Sequence, residues 1–274
     1  MNSADFDFLS GFLKRRSGFV LVPGKSGMVK SKLEPVAQRF GFRRIDGLLA
    51  ELRHEPEELS RAVTEAMTVN ESSFFRDRAA FDHVKNTVIP ALMKRRAATR
   101  RLRIWCAAAS SGQEAYSLAI LLDGMKLAEQ GWKIDIVATD LSSEMVARAR
   151  DGLYLDFEAG RGLPAQTLLQ YFTQSGKQWR VCDRLRRMVA FRPFNLLDSF
   201  GWLGQLDIVF CRNVLLYFDA QEKFYTLERL SRALAPDGFL VLGAAEECTS
   251  DAFARVPRMR GVFARAHRAA LLAS

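Results

Sequence analysis

Two features near the middle of the sequence combine residue types that could bind a nucleotide. The loop Ala108–Glu114 follows an apolar run and opens a helical one, and its small residues would let backbone N–H groups approach a ligand. With one glycine it either binds a nucleotide or is only a tight strand-to-helix connection. Asp140 follows a second apolar run, where its carboxylate could accept hydrogen bonds from both hydroxyls of a ribose or cap the next helix.

A third polar feature surrounds another apolar run. Asn195–Asp198 precedes the run Leu206–Phe210, and Arg212 and Asn213 follow it closely. Buried polar groups need hydrogen-bond partners, so an Arg-Asn pair at the end of a buried strand is not expected to be part of the apolar core. We therefore include this pair in a candidate site.

The elements that must position these residues alternate between strands and helices. This alternation predicts right-handed crossovers and an α/β fold with a doubly wound parallel sheet, which binds ligands at the carboxyl ends of its strands. The predicted strands are Leu102–Ala107, Ile134–Ala138, Leu206–Phe210 and Phe239–Gly243. The predicted helices are Glu114–Leu127, Ser143–Arg150 and Gln221–Leu234, and a turn at Ala235–Gly238 closes the last one.

The N-terminal part of the chain shows helical periodicity without strand patterns. Residues 1–70 are predicted to form an all-helical domain, with Ser3 as the N-cap of its first helix. Its fourth helix is predicted over Glu57–Met67, with Pro56 suited to the first turn.

Two further regions complete the predicted organisation. Residues 71–100 form a linker with a helix over Ala79–Met93, and residues 101–274 form the sheet domain. Within that domain, alternating segments and a turn at Ser175-Gly176 predict a small inserted antiparallel β-subdomain over residues 156–194.

Composition limits the class of protein. The 274 residues are 49% hydrophobic and 26% charged, which is typical of a globular chain and excludes a disordered or disulfide-scaffold protein. No apolar run approaches the roughly 20 residues that span a bilayer, and the acidic N-terminus is unlike a signal peptide, so we expect a cytoplasmic protein. The widely spaced cysteines, with no Cys-x-x-Cys pattern, indicate neither a metal site nor a disulfide framework.

The net charge of +9 favours an acidic partner, which charge alone does not identify. Nine basic residues against one acidic residue, Glu34, fall between Lys14 and Arg44, a stretch that we call the basic segment. It is either a set of solvated helix faces or a docking surface for an acidic partner.

Six segments occur in an order that is specific in combination. They are Thr68–Asp77, Trp105–Ser117, Ala138–Asp140, Asn195–Leu197, Phe210–Asp219 and Leu234–Gly238. Together they resemble the CheR-type chemotaxis receptor methyltransferases, which esterify receptor glutamates using S-adenosylmethionine. The resemblance covers nearly the whole chain. It implies a Rossmann-like S-adenosylmethionine-dependent methyltransferase domain with a small N-terminal helical domain and an inserted antiparallel β-subdomain.

The resemblance also implies site residues by matching positions. Arg76 and Tyr217 would be catalytic, with Tyr217 near the transferred methyl group. S-adenosylmethionine would be the cofactor, S-adenosylhomocysteine the product, and no metal would be needed. Asp140 would hold the ribose and Asn195 and Leu196 would lie beside the adenine, within a cofactor-binding set of Asn70, Ser72, Arg76, Glu114, Asp140, Asn195, Leu196, Asn213 and Val214.

The sequence departs from the family pattern at two places. The usual Gly-Glu-Glu-Pro-Tyr-Ser reads Gly-Gln-Glu-Ala-Tyr-Ser over Gly112–Ser117, which keeps Glu114. The usual His-Ser-Glu after the last parallel strand reads Ala244-Ala245-Glu246, and we expect this change to affect only a peripheral contact.

The implied partner is the acidic helical surface of the cytoplasmic region of a methyl-accepting chemotaxis receptor. The enzyme would not be inserted in the membrane and would be recruited to receptors at its inner face. In some members of the family, the inserted subdomain binds the receptor's C-terminal peptide as an extra strand. Here the connection Thr173–Trp179 is short and holds one glycine, which predicts a tight turn and a tether-independent enzyme.

Two other functions are alternatives to this one. A nucleic-acid methyltransferase shares the fold and a basic charge, but Arg212-Asn213-Val214 stands where base-amino methylases carry Asn/Asp-Pro-Pro-aromatic, and no Pro-Cys pair occurs. We therefore expect no nucleic-acid partner. A non-catalytic binding module is disfavoured because Arg76, Asp140 and Tyr217 are all present.

Overall fold

The computed structural model describes residues 2–266 as two compact units. The first unit contains the residues up to Val69 together with Leu216–Glu222, and the second contains Asn70–Leu215 and the described residues from Lys223 onward. This division differs from the predicted boundaries, which placed Asn70 with the helices and separated a linker over residues 71–100. Residues 267–274 of the predicted sheet domain lie outside the described residues.

Four helices of the first unit share one apolar core. They are α1 (Ser3–Ser17), α2 (Ser26–Arg39), α3 (Ile45–Leu52) and α4 (Glu57–Met67). Apolar residues at three- and four-residue spacing face this core, among them Phe12, Leu33, Leu48 and Val63. The N-cap of α1 is Asn2, not the predicted Ser3, because the Asn2 side chain accepts a hydrogen bond from the Asp5 N–H at 2.8 Å.

The segment Leu216–Glu222 belongs to this helical unit although it is distant in sequence. The Val20 N–H donates to the Tyr217 carbonyl oxygen at 2.9 Å, and the Lys14 ammonium lies 2.6 Å from the Asp219 carboxylate. Gly18 ends α1 with φ of 75°, and a Cβ added there would lie 3.0 Å from the Phe218 ring. Glycine therefore allows both the left-handed backbone and the close approach of Phe218.

The second unit begins with a continuous helical stretch around the predicted helix Ala79–Met93. It consists of α5 (Arg78–His83), a π-helical turn (Val84–Val88) and α6 (Ile89–Arg95). Pro90 lacks an N–H group and cannot donate to the preceding turn, and the wider π turn lies directly before it.

Ten strands are described in the second unit. They are β1 (Arg101–Ala107), β2 (Lys133–Asp140), β3 (Leu153–Leu155), β4 (Phe172–Ser175), β5 (Gln178–Val181), β6 (Val189–Pro193), β7 (Leu206–Cys211), β8 (Leu234–Val241), β9 (Phe253–Arg255) and β10 (Val262–Arg265). Seven of them form one sheet in the order β6-β2-β1-β7-β8-β10-β9. The first five strands in this order are parallel to one another. The strand β10 pairs antiparallel with both β8 and β9.

The remaining helices connect these strands. They are α7 (Gln113–Gly124), α8 (Ser143–Asp151), α9 (Asp156–Gly160), α10 (Ala165–Tyr171), α11 (Asp183–Met188) and α12 (Ala220–Ala233). The predicted α/β fold, with its parallel sheet, helical N-terminal region and small antiparallel sheet, is confirmed. Within residues 2–266, no helix has the length and apolar character needed to cross a bilayer.

The inserted subdomain contains a three-stranded antiparallel sheet of order β3-β5-β4. Its first strand starts at Leu153, before the predicted residue 156. The two-residue connection Gly176-Lys177 joins β4 to β5, so the predicted tight turn is confirmed. Gly176 adopts φ of 61° in this turn.

The prediction that residues 188–191 belong to this subdomain is wrong. The strand β6 pairs in parallel with β2 at the edge of the large sheet. It buries Val189 and Phe191 and exposes Ala190 and Arg192. Buried and exposed residues alternate along an edge strand that is covered on one face, as they do along a strand of an antiparallel sheet. The sequence pattern therefore did not distinguish a parallel edge strand from an antiparallel one.

The predicted turn at Ala235–Gly238 lies inside strand β8. The pairing of β8 with β7 shifts register between Leu206 and Ile208, which absorbs the irregular Pro-Asp-Gly sequence. A Cβ added at Gly238 would lie 3.0 Å from the Asp207 carbonyl oxygen, so glycine permits this close pairing.

We expect Gly162→Ala to lower the free energy of unfolding by about 1 to 3 kcal/mol more than Gly176→Ala. Both glycines have positive φ, but only at Gly162 would the new Cβ meet backbone, 2.0 Å from the Phe74 carbonyl oxygen. No atom lies within 4 Å of a Cβ at Gly176. Urea denaturation followed by circular dichroism measures the difference, and equal losses for the two variants would contradict the contact.

Candidate functional site

Four parallel strands end at one edge of the large sheet, and polar side chains follow them. Ala107 at the end of β1 pairs with Thr139 of β2 and with Cys211 of β7. The loops after β1, β2, β7 and β8 therefore meet at this edge, which we call the carboxyl edge.

Asp140 joins two of these loops. Its side chain is buried, with Oδ2 accepting the Ser110 N–H at 2.7 Å and Oδ1 accepting the Ser142 N–H at 2.9 Å. The N-cap of α8 is Ser142, whose hydroxyl oxygen accepts the Met145 N–H at 3.3 Å. Asp140 is therefore not the cap of this helix. Each carboxylate oxygen can accept more than one hydrogen bond, which leaves a ribose role compatible with this geometry.

The loop after β1 holds an unusual backbone conformation. Ala108, Ser110 and Gly112 have φ of 53°, 50° and 94°. Positive φ is uncommon for residues other than glycine and is strained unless the surroundings hold it.

Two hydroxyl groups hold this loop in addition to Asp140. The Ser110 hydroxyl donates to the Asn70 carbonyl oxygen at 2.9 Å, and the Tyr154 hydroxyl donates to the Ser111 carbonyl oxygen at 2.6 Å. The loop is thus fixed by the Thr68–Asp77 segment on one side and by the inserted subdomain on the other. Sequence reasoning did not identify Tyr154, since a tyrosine in a short strand is ordinarily a core residue.

A buried guanidinium connects three of the predicted motifs. Arg212 exposes 1% of its side chain and donates from Nη1 to Glu114 Oε2 and from Nη2 to Asp77 Oδ2, both at 2.8 Å. Its guanidinium carbon lies 5.7 Å from the centre of the Phe81 ring. Burial raises the pKa of the Glu114 carboxyl, and the charge of Arg212 opposes that shift.

Glu246 holds the loops after β7 and β8 together. Its Oε2 accepts the Asn213 N–H at 2.6 Å and the Gly243 N–H at 2.8 Å, and its Oε1 accepts the Val214 N–H at 3.0 Å. Asn213 has φ of 58°, so the bond from its N–H fixes a left-handed turn. Glu246, which the altered Ala-Ala-Glu sequence retains, thus makes a central contact. The sequence analysis did not include it among the site residues; its signal was an acidic residue placed just after the last parallel strand.

The predicted adenine-binding residues follow β6 at the same edge. The Phe194 N–H donates to the Asp140 carbonyl oxygen at 2.8 Å, which brings Asn195 and Leu196 next to Asp140 in the fold. Asn195 Oδ1 accepts the Leu197 N–H at 3.0 Å, and Leu196 is buried. The backbone of this segment is therefore joined to Asp140, the residue predicted to hold the ribose.

The Thr68–Asp77 segment is anchored between its predicted site residues Ser72 and Arg76, by contacts to β3 and α7. Buried Phe74 packs edge-to-face on Tyr154, with ring centres 5.0 Å apart, and the Phe75 N–H donates to the Ser117 hydroxyl oxygen at 2.9 Å. Ser72 and Arg76 are half-buried, and Arg76 Nη1 donates to the Glu71 carbonyl oxygen at 3.0 Å. The Arg76 charge also lowers the pKa of Glu114, although it is a smaller influence than Arg212.

Tyr217 belongs to the first unit, unlike the other predicted site residues. Its ring stacks on Phe19, with ring centres 5.6 Å apart and planes 30° apart. Its predicted role near the transferred methyl group stays a prediction.

Cys106 in β1 and Cys211 in β7 lie beneath this edge in the sheet. Both are buried, and burial raises the pKa of each thiol well above its usual value. A neutral, enclosed thiol is a poor nucleophile. In the described part of the chain, no group of three His, Cys, Asp or Glu side chains could hold a metal ion.

Comparisons with known proteins point to one family. Residues 70–261 match the profile described as "CheR methyltransferase, SAM binding domain", and residues 4–68 match "CheR methyltransferase, all-alpha domain". "Chemotaxis protein methyltransferase 1" of Pseudomonas aeruginosa is 41% identical over 248 residues, covering 89% of this chain and 90% of the relative. "Chemotaxis protein methyltransferase Cher2" of Pseudomonas putida is 40% identical over 88% of this chain and 90% of the relative. A "Chemotaxis protein methyltransferase" of Vibrio parahaemolyticus is 35% identical over 91% of each chain.

We expect Glu246→Gln to lower the melting temperature and weaken S-adenosylhomocysteine binding. A glutamine has one acceptor oxygen, so at least one of the three bonded N–H groups would face an NH₂ donor, at a cost of about 1 to 3 kcal/mol. Differential scanning calorimetry and titration calorimetry measure the two effects. Glu247→Gln makes the same chemical change at the exposed neighbouring position and should leave both values unchanged. Identical behaviour of the two variants would show that Glu246 does not organise the edge.

Proposed function

The chain belongs to the CheR methyltransferase family, and we propose that it transfers the methyl group of S-adenosylmethionine to glutamate side chains of methyl-accepting chemotaxis receptors. The observation that carries this proposal is the similarity to named chemotaxis methyltransferases over nearly the full length, helical unit included. The product on the receptor is a glutamate methyl ester.

The chemistry of the carboxyl edge suits S-adenosylmethionine. The cofactor carries a ribose diol, a sulfonium and an ammonium group, and the edge offers the acceptors Asp140 and Glu114. Asp140 would take the ribose hydroxyls, with Asn195 and Leu196 along the adenine. Glu114 would face the cationic part, and the remaining contacts would come from Asn70, Ser72, Arg76, Asn213 and Val214.

The reaction needs alignment and exclusion of water more than a general base. When bound, the cofactor supplies a methyl group on a positively charged sulfur. A glutamate side chain with a pKa of about 4.3 is already a carboxylate at neutral pH, so it can attack without losing a proton. The attack of an anion on a cation neutralises charge, so a desolvated and preorganised site favours it.

Arg76 and Tyr217 are the residues that we propose to orient the substrate. The Arg76 guanidinium would hold one oxygen of the receptor carboxylate while the other oxygen attacks. Its bond to the Glu71 carbonyl uses Nη1, and a guanidinium has further N–H donors for a carboxylate. The Tyr217 hydroxyl would position the substrate at the methyl group. We propose no metal and no nucleic acid in this reaction.

The basic segment is proposed to recruit the acidic receptor surface. Lys14, Arg15 and Arg16 are paired with acidic residues within the helical unit, and each pair is 2.8 Å or closer. Lys30 and Arg39 on α2 are exposed. A groove of about 620 Å³ between α2 and α3 is also lined by Lys30, Arg43 and Arg44. These side chains form the basic surface that we propose for docking.

Lys32 is excluded from that basic surface. Its ammonium donates to the Ala66 and Thr68 carbonyl oxygens at 3.1 and 2.5 Å, where it satisfies the end of α4. Burial lowers its pKa. Reversing the charge of Lys32 would damage the fold and would not test docking.

The enzyme is proposed to act in the cytoplasm, at receptors on the inner membrane face, without a receptor tether. The two-residue turn Gly176-Lys177 supports tether independence, since members that bind the tether have a longer glycine-rich loop there. Recognition would then rest on the methylation region of the receptor and on the basic surface.

The direct test is methyl transfer from labelled S-adenosylmethionine to receptor cytoplasmic fragments, read as base-labile label released as methanol. We expect Arg76→Ala to reduce kcat by about 10- to 100-fold because the carboxylate loses its orientation. Most of the affinity for S-adenosylhomocysteine should remain, because Arg76 is only one of several proposed cofactor contacts. Arg78→Ala removes an exposed arginine two positions away and should match the wild type. An absence of ester label with the wild type would refute the function, whereas equal kcat would refute only the role of Arg76.

Reversing two charges of the basic surface should weaken receptor binding. We expect Lys30→Glu with Arg39→Glu to raise the KM for receptor by about 3- to 10-fold, since each exposed charge contact contributes about 0.2 to 1 kcal/mol. The effect should shrink as added salt screens the charges. Lys85→Glu with Lys126→Glu makes the same charge change at exposed residues outside the basic segment. An equal KM for the two double variants would show that the basic segment is solvated helix surface and does not bind the receptor.

Titration of the isolated receptor C-terminal peptide tests tether independence. We expect no heat of binding, and unchanged methylation of a receptor that lacks its tail. Methylation is compared between a receptor with its C-terminal tail and the same receptor without it. Binding of S-adenosylhomocysteine, measured in the same calorimeter sample, confirms that the protein is competent to bind ligands. Micromolar binding of the peptide would overturn the proposal.

A further inference from the structure

The ion-pair group Asp77–Arg212–Glu114, with a buried guanidinium at its centre, is the strongest feature that the proposed mechanism has not used. Asp77 ends the Thr68–Asp77 segment, Arg212 follows β7, and Glu114 lies in the first turn of α7. Arg212 is enclosed, and its Nε finds no acceptor among the described residues. Its position is therefore set by the two carboxylate bonds made through Nη1 and Nη2.

The charges of this group leave one negative charge in excess. Two carboxylates and one guanidinium sum to −1, and the side chain of Glu114 is 14% exposed while that of Arg212 is 1% exposed. The bond from Arg212 is made to Oε2 of Glu114. The partly accessible Glu114 carboxylate can therefore receive a cation from outside while Arg212 holds it from within.

From this geometry we infer that Arg212 is a positioning residue for the cofactor, which keeps Glu114 ionised and aimed at the cationic methionine end. This inference rests on the proposed function. Arg212 does not itself touch the cofactor in this proposal, because its guanidinium is enclosed by Phe81 and the two carboxylates.

The physical reason is the cost of a buried carboxylate. Desolvation raises the pKa of Glu114, and Arg212 is the strongest influence that lowers it. A carboxyl group that becomes protonated loses its attraction for a cation. Removing the charge of Arg212 should therefore raise the Glu114 pKa further, and cofactor affinity should fall as the pH falls through that raised value.

The other groups that act on Glu114 come from four elements. Arg76 lowers its pKa, Glu246 raises it, and the thiols of Cys106 and Cys211 interact with it. Both thiols have pKa values raised by burial, so they stay neutral below pH 8. Arginine stays charged, so the protonation of Glu114 is the change that the test follows.

The test is the dissociation constant of S-adenosylhomocysteine, measured by titration calorimetry between about pH 5.5 and 7.5 without receptor. Affinities are expressed relative to the wild type at each pH, which cancels titration of the ligand. We expect Arg212→Gln to bind at least about tenfold more weakly at the acidic end, with a loss that grows by up to about tenfold per pH unit. Arg212→Lys restores a positive charge and should return most of the affinity and the wild-type pH dependence. Glu114→Gln should bind weakly at every pH.

A double variant covers the case in which Arg212→Gln alone does not fold. Asp77→Asn with Arg212→Gln keeps the summed charge of the three side chains at −1 and avoids two unpaired carboxylates. It should show the same acid-dependent loss. A loss of affinity that is equal at every pH, or an equal effect of glutamine and lysine at position 212, would overturn the inference. Wild-type protein that binds no S-adenosylhomocysteine would instead overturn the proposed function.

Discussion

Strands that end in loops leave backbone N–H groups without the partners that a sheet provides. At the carboxyl edge, the buried carboxylates Asp140 and Glu246 accept two and three such N–H groups, respectively. These bonds fix loops that include left-handed residues, which would otherwise be unfavourable. The proposed cofactor site is therefore built on acidic side chains that first satisfy the backbone, and ligand contacts would be added to a framework that already exists.

Acidic side chains of the carboxyl edge and basic side chains of α2 lie in different units of the protein. In a chain of net charge +9, the carboxyl edge carries the side chains of Asp77, Glu114, Asp140 and Glu246, of which Asp77 and Glu114 pair with the buried Arg212. The exposed basic side chains of α2 lie in the other unit. The proposed cationic cofactor and the proposed acidic receptor surface would require fields of opposite sign, and these side chains of the two units carry opposite charges.

Sequence reasoning succeeded where a local pattern determines the outcome. Its prediction that Asp140 ends a buried strand at the carboxyl edge is confirmed, because parallel pairing brings all such positions to one edge. It failed where the contact is distant in sequence. Lys32 belongs by sequence to the basic segment, but its ammonium bonds to carbonyl oxygens at the end of α4. Glu246 was not among the predicted site residues, although its carboxylate accepts an N–H group from the loop after β7. The alternating pattern of β6 was real, but period-two alternation does not say which sheet a strand joins.

The return of Leu216–Glu222 to the helical unit has a consequence for how the protein is made. This segment leaves the ribosome about 150 residues after Val69, so the N-terminal helices are synthesised long before their last packing partner exists. Until then Phe19 lacks the Tyr217 ring and Lys14 lacks Asp219. Most of the sheet must already have been translated when the helical unit is completed. Assembly of the helical unit is therefore completed only after β1–β7 have been translated. A nascent chain that can complete the helical unit already contains most of the residues of the second unit.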